Sequence, residues 1–167
     1  ALSTHVTGHS NTAIGYQAMW DTDAGSNSND SDHNIAIGRN SMGGVWANTK
    51  SENNIAIGNN SLDASLDGAY YNIALGHYVH SNLISGTSNI GIGWAAAESI
   101  TTSTDNIAIG KQAMQKHTTG ARNIAIGSNA MDDTNAGSNS LNSSDNIFIG
   151  NHAGAGTWTN VLSQYNI

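Results

Sequence analysis

The sequence of 167 residues contains no cysteine and no proline, and only 10% of its residues are charged. Without cysteine, the chain forms no disulfide and offers no thiolate for metal binding or catalysis. Five scattered basic residues and a net charge of −7 argue against a nucleic-acid partner, since no basic patch is available for phosphates. No apolar run reaches the length of a membrane span and no signal peptide is visible, so we expect no membrane insertion.

A five-residue unit of the type Asn-Ile-Ala-Ile-Gly recurs eight times, at spacings of 17 to 23 residues. With the Asn counted as position 1, position 8 is a small residue in most repeats, and position 9 holds all four methionines of the chain. The unit is therefore N-I-A-I-G-x-x-[A/S]-[M/L], followed by a polar stretch of variable length. Repetition of this kind is typical of solenoids. The eight asparagines are Asn11, Asn34, Asn54, Asn72, Asn89, Asn106, Asn123 and Asn146.

Each unit predicts a short β-strand, because two β-branched residues alternate with a small one and glycine ends the run. Side chains alternate between the faces of a strand, so Ile35 and Ile37 share one face and Ala36 takes the other. We expect the Ile pairs to form a ladder inside each coil. The motif Asn is interpreted as a turn residue in the left-handed region, with an amide ladder between coils as the alternative. Stacked strands about 4.7–4.9 Å apart make a rod of roughly 33 Å.

In a single chain this arrangement exposes the Ala and Met rows to water, and monomers rarely tolerate an apolar patch of that size. Copies of the chain packed around a symmetry axis would bury both rows. We therefore expect oligomers whose seam contains the Met row, and Met114→Asp is predicted to prevent assembly.

The unit N-x-A-I-G-x-x-[A/S], as in residues 11–18, resembles the head repeat of trimeric autotransporter adhesins (the YadA-like head) and related repeats of phage tail fibres. The resemblance covers residues 11–154. It implies an all-β fold, namely a left-handed parallel β-roll or β-helix solenoid, assembled as a homotrimer that adheres to surfaces. The coils are longer and more uneven than those of adhesin heads, which favours the tail-fibre side.

On that basis we expect a virion protein, the receptor-binding segment of a phage tail fibre, with a bacterial surface polysaccharide or lipopolysaccharide as partner. One alternative is the head of a trimeric adhesin on a bacterial cell surface. Another is a structural fibre shaft that has no receptor site of its own. The organisation predicted is a lead-in at 1–10, an eight-coil domain at 11–154 and a terminal cap or tip at 155–167.

Receptor contacts are expected on long loops and on aromatic side chains. Insertions in solenoids map to loops on one face, and the loops 21–33, 43–53 and 132–145 exceed the shortest repeat most clearly. Aromatic faces grip sugar rings, and seven aromatics outside the Ile positions are candidates, although each of them could instead cap a coil or fill the seam between chains. They are Trp20, Trp46, Tyr70, Tyr71, Tyr78, Trp94 and Trp158. Phe148, which replaces the motif Ala, is expected to plug the end of the rod.

Metal binding and catalysis receive little support from the sequence. His80 falls in the Met row, where three copies would meet on a threefold axis, so it is a weak candidate for a metal or anion ligand; a hydrogen-bonded polar layer is the plainer expectation. The acidic stretch 21–32 matches a calcium loop only loosely. No nucleophile motif or phosphate loop is present, and acids such as Asp63 and Asp67 are interpreted as solvated loop residues. We therefore expect neither enzyme activity nor a cofactor.

Overall fold

Eight three-residue strands stack in parallel and in chain order in the computed structural model of this protein. The structure describes residues 8–20, 30–46, 49–132, 143–156 and 164–167. The strands are β1 (Thr12–Ile14), β2 (Ile35–Ile37), β3 (Ile55–Ile57), β4 (Ile73–Leu75), β5 (Ile90–Ile92), β6 (Ile107–Ile109), β7 (Ile124–Ile126) and β8 (Ile147–Ile149). Each motif position lies beside the same position of the next repeat. The predicted all-β solenoid is confirmed for the described residues, which include no helix.

A second line of parallel bridges closes the other side of the coil. It links Glu52 to Tyr70, Tyr70 to Thr87, and Thr87 to Thr104. These residues stand two places before the motif Asn, so the third to sixth repeats are joined by a bridge at this position as well as by the strand. Backbone hydrogen bonds between successive repeats therefore hold both sides of the coil, as expected for buried backbone groups.

The turn after each strand depends on backbone conformations with positive φ. Gly58 has φ 141°, and a Cβ atom there would lie 2.1 Å from the carbonyl oxygen of Gly76, so only glycine fits this position. Position 9 is also left-handed, as in Met42 (φ 50°) and Leu62 (φ 48°). Such residues cost about 1–2 kcal/mol each and need support from their surroundings. The backbone amide of Met42 donates to the backbone carbonyl oxygen of Ser61 at 2.9 Å, which ties this turn to the next repeat.

The interior of the coil is lined by the motif Ala and by positions 8 and 9, and not by the Ile pairs. The fully buried residues include Ala36, Ala56 and Ala74 of the strands, and all four methionines, Met19, Met42, Met114 and Met131. The predicted Ile ladder inside the coil is therefore wrong, since the Ile side chains lie on the outer face. The physical reason is thickness: the two sides of the coil are so close that only Ala fits between them at the strand.

A second interior row faces the methionines and was missed in the sequence. It consists of Trp46, Leu66, Leu83, Ile100 and His117, all of them fully buried. The last four recur at the 17-residue spacing of the central repeats, so the periodicity that revealed the strands also contained this row. The row supplies five of the twelve largest fully buried side chains among the described residues.

The motif Asn residues form a continuous hydrogen-bonded column at the amino end of the strands. The Asn89 carboxamide donates to Oδ1 of Asn72 at 3.0 Å and to the Ser103 oxygen at 2.8 Å. Its own oxygen accepts from the Asn106 amide and side chain at 3.1 and 3.2 Å. No motif Asn has positive φ; the residue before it does. The turn interpretation of this Asn is therefore wrong, and the alternative, an amide ladder, is what the structure contains.

The column continues beyond the eight recognised repeats. Asn166 donates from its backbone to Oδ1 of Asn146 at 3.1 Å, and Tyr165 before it has the same left-handed φ, 58°, as its counterparts. Gln164 forms the bridge with Ser144. Residues 164–166 thus follow the register of the repeat within the segment where a cap or tip was predicted.

At two places in the coil, a large side chain lies beside a glycine that leaves room for it. Gly91 replaces the motif Ala in β5, and a Cβ atom there would lie 2.4 Å from the Val79 side chain and 2.7 Å from the His80 ring. In the last repeat, Phe148 replaces Ala and packs against the core, while Gly154 takes the place of Met and leaves room for the ring. The Phe148 ring, which was predicted to plug the end of the rod, fits because Gly154 stands where other repeats have a large side chain.

Candidate interaction surfaces

The outer face of the sheet is a continuous aliphatic stripe. Positions 2 and 4 of the eight strands hold fourteen Ile, one Leu and one Thr, and no charged residue. All these side chains are half-buried or exposed; Ile14, Ile57, Ile92 and Ile149 are 36–68% exposed. We call this surface the Ile stripe. Along the eight described strands, it is a continuous apolar surface that the single chain leaves open.

The rows predicted for the seam between chains lie inside the single chain instead. The motif Ala and the methionines at position 9 are fully buried in β2–β7 and in the turns that follow. They are closed off by the second interior row of the same chain. An oligomer seam built on the Met row is therefore ruled out by this geometry, and on the described strands the apolar face that a partner could cover is the Ile stripe.

His80 lies in the same buried row and cannot meet copies of itself. Its side chain is fully buried, and among the described residues neither ring nitrogen has a hydrogen-bond partner. Burial lowers the pKa of His80 to about 3. The expectation of a metal or anion site at His80 on an axis, or of a hydrogen-bonded polar layer, is therefore wrong. Within the described ranges no three His, Cys, Asp or Glu residues are grouped as a metal site.

His117 is the second buried histidine and belongs to the second interior row. Its Nε2 atom lies 3.2 Å from the Asn123 side-chain nitrogen, next to the Asn column. Burial lowers the pKa of His117 to about 4. Both histidines are thus neutral core residues at physiological pH.

Two lines of residues border the Ile stripe. The amino edge consists of the residues immediately before each motif Asn: Ser10, His33, Asn53, Tyr71, Ser88, Asp105, Arg122 and Asp145. The carboxyl edge consists of the residues immediately after each motif Gly: Tyr16, Arg39, Asn59, His77, Trp94, Lys111, Ser128 and Asn151. Because the strands are in register, each edge is a column that runs the length of the rod.

Two of the predicted aromatic residues lie at the carboxyl ends of adjacent strands: Trp94 belongs to the carboxyl edge, and Tyr78 directly follows His77 of that edge. Tyr78 is 38% exposed and Trp94 is 45% exposed, in adjacent repeats. The His77 ring stacks on Tyr78 with centroids 4.1 Å apart, and the Lys111 ammonium lies 5.7 Å from the Trp94 ring. This aromatic group offers flat faces beside one cation, which suits a sugar ring that carries acidic or hydroxyl groups. His77 and Lys111 were missed, although both keep the 17-residue spacing with Trp94.

The other predicted aromatic residues lie elsewhere. Tyr70 and Tyr71 form a pair at the amino edge, with ring centroids 6.5 Å apart. Trp20 is 42% exposed in the first repeat, distant from both groups along the chain. Trp46 is fully buried, so its assignment as a receptor contact is wrong. Its side chain belongs to the second interior row. Trp158 lies outside the described residues.

The predicted long loops are only partly within the described residues. Residues 21–29, 47–48 and 133–142 are outside them, and so is most of the acidic stretch 21–32 that loosely matches a calcium loop. Of the acids considered for catalysis, Asp63 is partly buried, and burial raises the pKa of its carboxyl group.

Charges on the amino edge are paired along the rod. Arg122 donates to both Asp145 carboxylate oxygens, at 2.6 and 2.9 Å. The hydrogen bond from Arg122 lowers the pKa of Asp145 below its ordinary value. The same hydrogen bond raises the pKa of Arg122, and the charge of Asp105, one repeat earlier in the same column, adds to this shift. The amino edge therefore carries its charges in repeats 6–8.

No known protein family, curated protein or solved structure matches this chain. The fold and its surfaces therefore have to support any functional conclusion by themselves. Among the described residues, none forms a helix with the length and hydrophobicity needed to cross a membrane.

Proposed function

We propose that this chain is the receptor-binding segment of a homotrimeric phage tail fibre that attaches to a bacterial surface polysaccharide or lipopolysaccharide. The observation that carries the proposal is the Ile stripe, an uncharged aliphatic face on a chain whose core is already complete. An exposed apolar surface of this kind marks an interaction site. Three parts of the proposal rest on the resemblance of the repeat to tail-fibre and adhesin heads. They are the left-handed sense of the coil, the number of chains in the assembly and the location in a virion.

Adhesion is supported by the exposed aromatic residues next to the stripe. A rod with only 10% charged residues offers few ionic anchors, so recognition would depend on ring faces, amides and hydroxyl groups. Tyr78 and Trp94, with His77 and Lys111, are the best-defined group of this type on the described surface. The head of a bacterial trimeric adhesin remains the second candidate, because the repeat resembles both families.

The test combines mass with binding. Light scattering is expected to give three times the chain mass of 17.3 kDa, and fluorescently labelled protein is expected to bind bacterial cells or immobilised lipopolysaccharide. Trp94→Ala should lower binding at least tenfold, as expected for an aromatic anchor. Trp20→Ala is the matched control, because Trp20 has almost the same exposure but lies in another repeat.

A trimer that binds no bacterial surface would favour a structural shaft. A monomer that remains folded would contradict the assembly itself. Equal loss of binding in the Trp94 and Trp20 variants would contradict the assignment of the aromatic group.

A further inference from the structure

The Ile stripe alone is too narrow for a stable interface between two chains. Seven steps of about 4.7–4.9 Å give a length of roughly 33 Å, and three strand residues give a width of about 10 Å. A stable interface buries about 800 Å² on each partner, well above the roughly 330 Å² of such a rectangle. The residues that border the stripe must therefore take part in any assembly that covers it.

Symmetry decides which border residues meet. The strands run across the rod, so rotation about an axis parallel to the rod keeps each repeat at its own level. The end of a strand in one copy then faces the start of the same strand in the next copy. The carboxyl edge of one chain consequently lies against the amino edge of its neighbour, repeat by repeat. This holds whether two or three copies surround the axis.

The residues at matching levels suit each other. In the sixth repeat the amino edge has Asp105 and the carboxyl edge has Lys111, both exposed, so opposite charges meet. In the fourth repeat Tyr71 meets His77, and in the fifth the small Ser88 meets the large Trp94. No level opposes two carboxylates or two residues of the Lys and Arg type. Such complementarity favours one arrangement over its competitors.

An antiparallel arrangement gives poorer matches. Rotation about an axis along the strands places the amino edge of one chain against the amino edge of the other. If the axis passes through the middle of the rod, the sixth repeat of one chain then meets the third repeat of the other. Asp105 would face only Asn53, and Lys111 would face Asn59. Of these two centred arrangements, only the parallel one in register places a carboxylate against a Lys or Arg side chain across the seam.

We propose that copies of this chain associate parallel and in register around the Ile stripe, with Asp105 of one copy paired to Lys111 of the next and Tyr71 packed against His77 of the next. The inference rests on the assembly in the proposed function and specifies its seam. It also joins two aromatic groups that are separate in one chain: Tyr70 and Tyr71 come next to the neighbour's Tyr78 and Trp94. The candidate sugar-binding surface would then be shared between two subunits.

The absence of natural cysteine permits a disulfide test in the intact chain. The double variant Asp105→Cys/Lys111→Cys is expected to yield reductant-sensitive covalent dimers and trimers on oxidation. A disulfide within one chain is excluded, since three strand residues span about 10 Å and the Cα atoms of a disulfide lie within about 7 Å. Asp105→Cys/Asn53→Cys is the matched control, because its cysteines meet only in the antiparallel arrangement.

A charge exchange gives an independent measurement. Asp105→Lys and Lys111→Asp should each raise the dissociation constant at least tenfold, and the double exchange should return it to within about threefold of the original value. The inference is overturned if the control pair cross-links, or if neither pair does so while light scattering still shows an oligomer. A folded monomer before any substitution would instead overturn the assembly in the proposed function.

Discussion

The Asn column and the Ile stripe lie next to each other on the same strands, yet they invert the usual distribution of polarity. The column is polar and fully buried from Asn34 to Asn146, whereas the stripe is apolar and open. The buried amides are tolerated because every donor and acceptor of an interior rung is paired, which removes the cost of desolvation. The comparison shows that position in this thin coil is decided by size and hydrogen bonding before hydrophobicity.

The largest expected effect comes from a charge placed in the interior of the coil. The same charge placed on the Ile stripe is the comparison. Met114 is fully buried in the coil, so Met114→Asp should destabilise the chain by about 5 kcal/mol or more and unfold it. Ile109→Asp places the same charge on the Ile stripe and should leave a folded chain that does not assemble. Circular dichroism and sedimentation distinguish the two outcomes. An unfolded Ile109→Asp chain, or a folded Met114→Asp chain, would reverse the assignment of the faces.

A smaller but still large effect is expected within the Asn column. Asn89→Asp removes the side-chain donors to Asn72 and Ser103 and places a carboxylate against their oxygens. We expect a loss of about 3 kcal/mol or more in the free energy of unfolding, measured by urea denaturation. Asn59→Asp is the control: this exposed side chain accepts a hydrogen bond from the Arg39 amide, which a carboxylate also accepts. Similar losses in both variants would argue against the ladder as a source of stability.

The smallest effect per residue concerns pH. The pKa values of His80 and His117 are lowered to about 3 and about 4, so below pH 6.5 only the unfolded state takes up protons. The free energy of unfolding should therefore fall as pH drops from 6.5 towards 4. By pH 5 the loss is about 2 kcal/mol for each histidine, since one pKa unit corresponds to about 1.4 kcal/mol. His80→Met, the residue at position 9 in four other repeats, should remove about half of this dependence in urea titrations at pH 7.5 and 5. An unchanged slope in that variant would place the titrating group elsewhere.

Much of the fold could be predicted from the sequence, because one motif specifies strand, turn and register together. The inward face of the strands could not be predicted. Alternation shows that Ile35 and Ile37 share a face, but it does not show how much space lies on either side of the strand. That space depends on the other half of the coil, where Leu66 and Leu83 pack. These residues kept the same period but carried no repeated motif, so the second row went unseen.

The candidate site was less predictable. Exposed aromatics could be suspected from composition, yet Trp46 and Trp94 looked equivalent until one proved buried and the other open. Lys111 and His77 could have been found, since they occupy the same motif position as Trp94. Tyr71 and Tyr78 stand before and after the motif of β4, but the sequence alone did not show that both rings are exposed.

The rungs of the Asn column have the same spacing whatever the length of chain between them. Asn54 and Asn34 are 20 residues apart and their amide-to-oxygen distance is 3.0 Å; Asn146 and Asn123 are 23 residues apart and theirs is 3.1 Å. The rise from one layer of the rod to the next is thus set by the Asn column and does not depend on the number of residues between two rungs. A longer or shorter segment between two rungs therefore leaves every layer at its own elevation, so the length of the rod depends on the number of repeats and not on the number of residues.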